Sequence, residues 1–344
     1  MNRCRIFAAI FFAGCEVLWC QESSSTWRDT SPHVIQQVPV DDGVRLEVLD
    51  WGGKGPNIVL LAGSGNTAHV FDDLAPLLRQ SGHVYGITRR GFGVSSHPES
   101  GYDDQRLADD VLRALDALKI TKPILVGHSL AGSEMTTLGS QHSDRIRGLV
   151  YLDAGDDPGD YPGDPAYSAL FAQLPATVTR PDRGSAEDKK SFVAYRNFQV
   201  RTTHFAFPES ELRQMFVANP DGSVGALRPR GPTSKPIQQA IGEGSKKRNY
   251  SNIRVPILYL PAAPPPAGGW SQYYRFTPAN ETEKTTLQRI YDADRANLTR
   301  YENAMKAARG NVRVVELIGA DHYVYFTNQP EVLREVRQFA KDLR

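Results

Sequence analysis

Runs of consecutive apolar residues alternate along the chain with amphipathic stretches. The runs at 57–62, 123–127 and 146–152 are of the kind that predicts strands buried on both faces of a parallel sheet. Residues 105–118 precede the second run and place apolar side chains every three or four positions, which predicts an amphipathic helix. This order of strand and helix predicts an α/β fold, with a mostly parallel central sheet flanked by helices.

The same pattern extends toward both ends of the chain. Two strands joined by a turn at 41–43 precede the first buried run, and a strand followed by a helix closes the sequence. The further predicted strands lie at 34–40, 44–49, 83–87, 255–260 and 312–317. The further predicted helices lie at 67–80 and 281–309, and begin at Ser129 and at Pro330. We therefore expect one core built from residues 34–155 and 253–344.

Residues 156–252 depart from this alternation because they contain no buried-strand run. They predict helices near 166–174, 187–203, 209–218 and 235–241, separated by Pro and Gly. We interpret the segment as a helical cap, or lid, inserted into the core. The aromatic residues expected to shape a pocket lie in this insertion and in the following loop at 261–278: Phe171, Phe198, Trp270 and Tyr273.

The first twenty residues have the layout of a secretory signal peptide. Arg3 and Arg5 precede an uncharged apolar run at 6–14, and residues 21–25 are polar. The apolar run is too short to remain in a membrane as a spanning helix. Phe-Ala-Gly-Cys at 12–15 also resembles the lipobox of bacterial lipoproteins. We predict a secreted or periplasmic protein without a stable membrane span, and a lipid anchor at Cys15 is the alternative.

Composition narrows the kinds of partner. The chain has 344 residues, 40 basic and 39 acidic, so its net charge is +1 and it carries no basic excess for a nucleic-acid backbone. All three cysteines lie in the first twenty residues, so a mature domain without that segment contains no disulfide. The near-equal numbers of basic and acidic residues favour a small, neutral or weakly charged substrate over a nucleic acid.

One motif carries a nucleophile. Gly127-His128-Ser129-Leu130-Ala131-Gly132 lies between a predicted buried strand and a predicted helix. A serine at such a sharp turn stands clear of the sheet, and the small residues two before and two after it prevent clashes. The turn also places the hydroxyl at a helix N-terminus, where the dipole and the free N–H groups favour negative charge. We predict that Ser129 is the nucleophile, although Ala131 replaces the usual second glycine.

A serine hydroxyl needs a base, and the base needs a carboxylate to orient it. Among the eight histidines, His322 follows the last predicted strand and can reach Ser129 over the sheet edge, whereas His128 should point away from its neighbour. Asp153 ends the strand at 146–152, and the order Ser129, Asp153, His322 is nucleophile, acid, base. Asp156 and Asp157 are alternative acids.

With these motifs, nearly the whole of residues 34–344 resembles the α/β-hydrolase superfamily. Leu61-Ala62-Gly63-Ser64-Gly65 and Arg90-Gly91-Phe92-Gly93-Val94-Ser95 are further pieces of that resemblance. Members more often carry the acid after the next-to-last strand, but here no carboxylate follows the strand at 255–260 until Glu281. Some members place the acid one strand earlier, which Asp153 matches. The resemblance also implies an oxyanion hole formed by the backbone amides of Leu130 and Ser64.

The predicted activity is hydrolysis of a carboxylic ester of a small or medium-sized substrate through an acyl-enzyme. The alternatives are an aminopeptidase, a lactonase or a thioesterase with the same triad, or a non-catalytic ligand-binding protein on the same scaffold.

A second motif overlaps the oxyanion loop. Residues 63–68 also fit the dinucleotide fingerprint G-x-G-x-x-A, but no acidic residue for a ribose follows, and Ser129 and His322 would be left unexplained. The chain contains neither His-Glu-x-x-His nor paired-cysteine spacing. We therefore predict no cofactor and no metal.

Overall fold

The computed structural model describes residues 27–155, 165–175, 182–229, 231–232, 235–245, 249–266 and 269–344. The predicted signal peptide with Cys15 lies outside the described residues, as do the alternative acids Asp156 and Asp157. Within the described part of the chain, no helix is both long and apolar enough to cross a membrane.

An eight-stranded sheet forms the centre of the fold. Its strands are β1 (Val34–Asp41), β2 (Val44–Gly52), β3 (Asn57–Leu61), β4 (His83–Ile87), β5 (Ile124–His128), β6 (Gly148–Leu152), β9 (Ile257–Leu260) and β11 (Val312–Val314). They lie in the order β1-β2-β4-β3-β5-β6-β9-β11. The pairs β1–β2 and β2–β4 are antiparallel, and the other neighbours are parallel. The predicted α/β fold is confirmed.

Helices connect and cover these strands. The α-helices with described bounds are Ala75–Leu78, Asp104–Ala117, Ala131–Gln141, Pro165–Phe171, Ala186–Lys189, Phe192–Thr203, Glu209–Met215, Lys235–Ser245, Trp270–Tyr273, Glu281–Met305, Val324–Thr327 and Gln329–Asp342. Short 3₁₀ helices lie at Ala68–Phe71, Ser143–Arg145 and Tyr250–Asn252. Strands and helices therefore alternate through most of the core.

The predicted helix at 67–80 is wrong as one continuous element. It consists of the 3₁₀ helix Ala68–Phe71, which Thr67 caps by accepting from the His69 N–H, and a separate turn at Ala75–Leu78. Pro76 lies in the first turn of the second piece. Because proline lacks an N–H and clashes with the preceding turn, it fits the start of a helix and not its interior.

Other elements also differ from the prediction, and the helix predicted at 187–203, for example, divides into Ala186–Lys189 and Phe192–Thr203. The helix predicted at 209–218 ends at Met215, and Phe216–Ala218 (β7) pairs with Val224–Leu227 (β8) in an antiparallel hairpin. The strand predicted at 312–317 divides into β11 and the short strand β12 (Leu317–Ile318). The strand β12 leaves the main sheet and pairs with β10 (Ala262–Ala263). That departure carries the chain beyond the sheet edge just before residue 322.

The core lies on both faces of the sheet. Ile58 and Leu60 belong to one buried apolar cluster, and their neighbours Val59 and Leu61 belong to another. Burial of each such side chain contributes about 1.5–3 kcal/mol. The first cluster also contains Phe192, Leu212 and Met215 from the insertion, so this part of the insertion shares its core with the sheet.

Candidate active site

Ser129 stands at the sharp turn between β5 and the helix Ala131–Gln141. Its φ is +52°, in the left-handed region that non-glycine residues rarely adopt. A side chain at Gly127 would place a Cβ 2.9 Å from the Ala131 Cβ and 2.2 Å from the Met135 Sδ. The small residues on either side of Ser129 are therefore required by this close approach.

The loop after β3 passes directly over this turn. A Cβ at Gly63 would lie 3.1 Å from the Ser129 Cβ and 2.7 Å from the His128 Nδ1, so only glycine fits there. Ser64 is the next residue and is exposed, and Gly65 follows with a φ of +75°. The fold thus places the backbone at Gly63, one residue before the predicted oxyanion donor Ser64, beside the serine.

Asp153 directly follows β6 and holds the imidazole of His322. The His322 Nδ1 and the Asp153 Oδ2 lie 2.7 Å apart, and the other carboxylate oxygen accepts from the Ala262 N–H at 3.0 Å. Since both oxygens are engaged, the carboxylate has a fixed orientation. A carboxylate beside Nδ1 keeps the proton on that nitrogen and leaves Nε2 as the basic position. The imidazole remains about half exposed (49%).

His128 supports His322 from beneath, which the sequence analysis did not predict. Its Nε2 donates to the His322 backbone oxygen at 2.9 Å, and the two rings lie 4.5 Å apart. Burial, together with the charge of His322, lowers the pKa of His128 well below its usual value, so this imidazole is neutral. Because only the fold brings residues 128 and 322 together, no local sequence signal marks this contact.

A buried glutamate of the insertion, Glu211, forms hydrogen bonds to the loop after β3. The Glu211 Oε1 accepts from the Asn66 Nδ2 at 2.7 Å, and the Thr67 hydroxyl donates to Oε2 at 2.5 Å. On its other side, Asn66 accepts from the Tyr323 hydroxyl at 2.9 Å. Burial raises the pKa of Glu211 despite these hydrogen bonds. The loop beside Ser129 is therefore linked both to the insertion and to the residue after His322.

A cleft of about 340 Å³ opens beside the Asp153–His322 pair. Tyr273 and Asp294 line it together with that pair. Burial raises the pKa of Tyr273, and nearby carboxylates raise it further, so the phenol stays protonated. The side chain of Tyr273 thus adds a polar but uncharged group to the wall of the cleft.

The other aromatic residues predicted to shape the pocket have different surroundings. Phe198 is buried within the insertion, with its ring 5.6 Å from that of Tyr195. Trp270 packs on Tyr291 at 4.9 Å, and Phe171 packs on the cluster around Ile290. Their contacts are those of packing residues.

The dinucleotide interpretation does not fit the geometry of residues 63–68. That fingerprint places a pyrophosphate at the N-terminus of a long helix, whereas here the loop leads into the four-residue 3₁₀ helix Ala68–Phe71. The backbone at Gly63 faces His128 and Ser129 instead of an open cradle.

Known proteins are similar to this chain in sequence. A model of the alpha/beta hydrolase family matches residues 58–336. The chain is 32% identical over 234 residues to the 2-(acetamidomethylene)succinate hydrolase of Mesorhizobium japonicum, which covers 67% of this chain and 78% of that relative. It is 31% identical over 325 residues to epoxide hydrolase A of Mycobacterium tuberculosis, covering 88% of this chain and 96% of the relative.

A solved structure shows the same architecture. The crystal structure of E-2-(acetamidomethylene)succinate hydrolase matches with a TM-score of 0.56 at 20% identity, over 90% of this chain and 99% of that one. At such low identity, the likeness concerns the fold alone.

Proposed function

Since this chain belongs to the α/β-hydrolase family and is a hydrolase, we propose that it cleaves a carboxylic ester with Ser129 as its nucleophile. The observation that carries the proposal is the 2.7 Å contact between the His322 Nδ1 and the Asp153 Oδ2, next to a serine held at a positive φ. This pairing supports a base oriented for proton transfer and a hydroxyl lifted clear of the sheet.

In the proposed reaction, the Ser129 Oγ attacks the acyl carbon of the ester while the His322 Nε2 takes the hydroxyl proton. The proton passes to the alkoxy group as the carbon–oxygen bond breaks, and an alcohol leaves. A water molecule then attacks the acyl-enzyme with His322 again as the base, which releases a carboxylic acid and restores the serine. Asp153 stabilises the imidazolium at each stage.

The developing oxyanion needs backbone donors. We propose the amides of Leu130, at the N-terminus of the helix after the serine, and of Ser64, in the loop that Gly63 brings close to Ser129. Preorganised amides of this kind stabilise a tetrahedral intermediate by about 3–4 kcal/mol each. Fixation of the loop through Asn66 and Glu211 supports this assignment.

Turnover of p-nitrophenyl butyrate tests the nucleophile. We expect Ser129→Ala to lower kcat by about 10³-fold or more, and to abolish labelling by a fluorophosphonate probe. Ser140→Ala is the matched control, because its hydroxyl only bonds to the Thr137 carbonyl within the same helix. Retained turnover in Ser129→Ala would sink the proposal, and the absence of both turnover and labelling in the wild type would favour a binding protein.

The acid is tested separately. We expect Asp153→Asn to lower kcat by about 10⁴-fold, because an amide stabilises the wrong imidazole tautomer. Asp156→Asn and Asp157→Asn should retain most of the activity. A larger loss in either of these variants would move the role of the acid to that residue.

The bond that is cleaved is tested by a substrate panel. The relative from Mesorhizobium japonicum acts on a compound whose name contains an acetamido group. The panel therefore pairs each ester with the amide, lactone and thioester of the same acyl group. A kcat/KM highest for the ester supports the proposal, whereas a higher value for another bond would replace the ester by that class.

We also propose that residues 156–252 act as a cap over the cleft. The burial of Phe192 and Leu212 against the core supports the cap.

We further propose that the chain is exported through a signal peptide at 1–20. The N-terminal mass of the exported protein tests cleavage, and a diacylglyceryl mass on Cys15 would identify the lipid-anchored form.

A further inference from the structure

Two histidines and two aspartates converge between the segment before β1 and the 3₁₀ helix Ala68–Phe71. Asp29, His33, His69 and Asp72 each bring one ligand atom within 4.8 Å of the others. The side chains of His33, His69 and Asp72 are only 2–3% exposed, whereas Asp29 is 22% exposed. Carboxylates are costly to bury unless opposite charges or hydrogen-bond donors surround them.

Three of the six separations between these four atoms are near the edge length of a coordination tetrahedron, and all six are within 4.8 Å. The Asp29 Oδ2 lies 3.7 Å from the His33 Nε2 and 3.6 Å from the His69 Nδ1, and the Asp72 Oδ2 lies 3.4 Å from the same His69 nitrogen. Zinc bonds of about 2.0–2.2 Å to nitrogen and oxygen place tetrahedral ligand atoms about 3.3–3.6 Å apart.

A buried nitrogen points into the middle of this group. Within the described part of the chain, the His69 Nδ1 has no hydrogen-bond partner, although it faces the two aspartates. A buried ring nitrogen that lies beside two carboxylates without making a hydrogen bond is rare and requires an explanation. A metal ion between the four residues provides one.

In both His33 and His69, the ring nitrogen that faces away from the proposed metal lies beside a carboxylate oxygen. The His33 Nδ1 lies 2.7 Å from the Asp72 Oδ1, and the His69 Nε2 lies 3.2 Å from the Glu47 Oε1. Histidines that bind metals usually donate their other N–H to a carboxylate in this way, which leaves a lone pair on the metal side. Both rings are thus oriented toward Asp29 as ligands would be.

Asp72 is itself fixed by two further donors. The Trp51 Nε1 donates to Oδ1 at 3.0 Å, and the Ser210 hydroxyl of the insertion donates to Oδ2 at 2.5 Å. These contacts join the segment before β1, the core and the insertion at one point. A metal held there would fasten the three parts of the chain together.

We propose that Asp29, His33, His69 and Asp72 bind one structural zinc ion. A divalent cation there would balance the negative charge of the carboxylates of Asp29, Glu47 and Asp72. No metal is predicted from the sequence, because these ligands form the pairs Asp29-x₃-His33 and His69-x₂-Asp72 instead of a familiar metal motif.

Metal content and thermal stability test the site on the purified full chain after removal of any affinity tag. We expect about one zinc per chain by elemental analysis, with loss of the metal and a lower Tm after chelation. Zinc added back at about a hundredfold excess over its Kd should raise Tm by about 5 °C. A wild type that takes up no zinc, or whose Tm is indifferent to zinc, would overturn the proposal.

Asp29→Asn is the decisive variant because Asp29 is the most exposed ligand and its loss is the least disruptive to folding. Asp50→Asn is the matched control, since Asp50 pairs with His83 at 2.7 Å in a partly exposed position away from the cluster. We expect Asp29→Asn to weaken zinc binding at least about tenfold, with an unchanged circular dichroism spectrum, and Asp50→Asn to bind normally. Equal zinc affinity in wild type and Asp29→Asn would show that the four residues are only an ion-pair cluster.

Discussion

At the scale of single residues, the candidate site depends on groups that never touch a substrate. The His128 ring holds the backbone of His322, and Gly63 leaves room for that ring beside Ser129. Because burial keeps His128 neutral, it acts here as a hydrogen-bond donor and as packing, and not as a base. We regard His128 as a positioning residue for His322.

Substitution of His128 tests this role. His128→Phe keeps a ring of similar shape but leaves the His322 carbonyl without its donor, so we expect kcat for p-nitrophenyl butyrate to fall about tenfold with little change in KM. His97→Phe is the control, because it removes a similar bond to the Gly93 carbonyl at an exposed position. Equal kcat in the two variants, or a loss confined to stability, would remove the positioning role.

The residues that the sequence could predict are those with a local signal. Ser129 lies in a short motif between a strand and a helix, and His322 and Asp153 each follow a strand whose end is visible in the apolar pattern. His128, Glu211 and the cluster around His69 have no such signal, because their partners lie far away in sequence. Such side-chain contacts depend on tertiary packing. The spacing of apolar residues along the chain does not reveal that packing.

At the scale of elements, long buried strands were predictable and short or capped pieces were not. The strand β4 matches its predicted range, since its apolar run is bounded by polar turns. The helix predicted at 67–80 is broken, because Thr67 and Pro76 each favour a helix start over a helix interior. The hairpin of β7 and β8 was missed, since its short exposed strands leave no alternating apolar pattern.

The insertion is linked to the loop after β3, which approaches Ser129 at Gly63. Glu211→Ala leaves the Asn66 amide and the Thr67 hydroxyl unpaired in a buried position, so we expect a loss of about 1–3 kcal/mol of unfolding free energy. We also expect kcat/KM to fall, because the loop that carries Ser64 loses its anchor. Urea unfolding and p-nitrophenyl butyrate kinetics measure the two effects.

Glu209→Ala is the control on the same helix. It removes only a partly exposed pair with Arg213, for which the expected cost is about 0.5 kcal/mol. If Glu211→Ala and Glu209→Ala changed kcat/KM equally, the hydrogen bonds between Glu211 and the loop after β3 would have no specific effect on catalysis.

At the scale of the whole molecule, a buried ion pair joins the sheet, the helix after the nucleophile and the loop after β3. Arg89 follows β4 and binds both oxygens of Glu134, at 2.6 and 3.0 Å, and it also donates to the Ala62 carbonyl at 3.0 Å. Both side chains are almost fully buried, at 5% and 4% exposed. A buried charge without its partner is costly. Removal of one member of the pair therefore destabilises the fold by more than the intact pair stabilises it.

We therefore expect Glu134→Ala to lower the free energy of unfolding by about 3–5 kcal/mol, a large part of the 5–15 kcal/mol typical of folded domains. Asp116→Ala removes the partner of Arg145 in an exposed pair, so it should cost less than about 1 kcal/mol. Urea unfolding of both variants measures the contrast. Similar losses would mean that water reaches the Arg89 guanidinium once Glu134 is gone, and that the three elements are held by apolar packing alone.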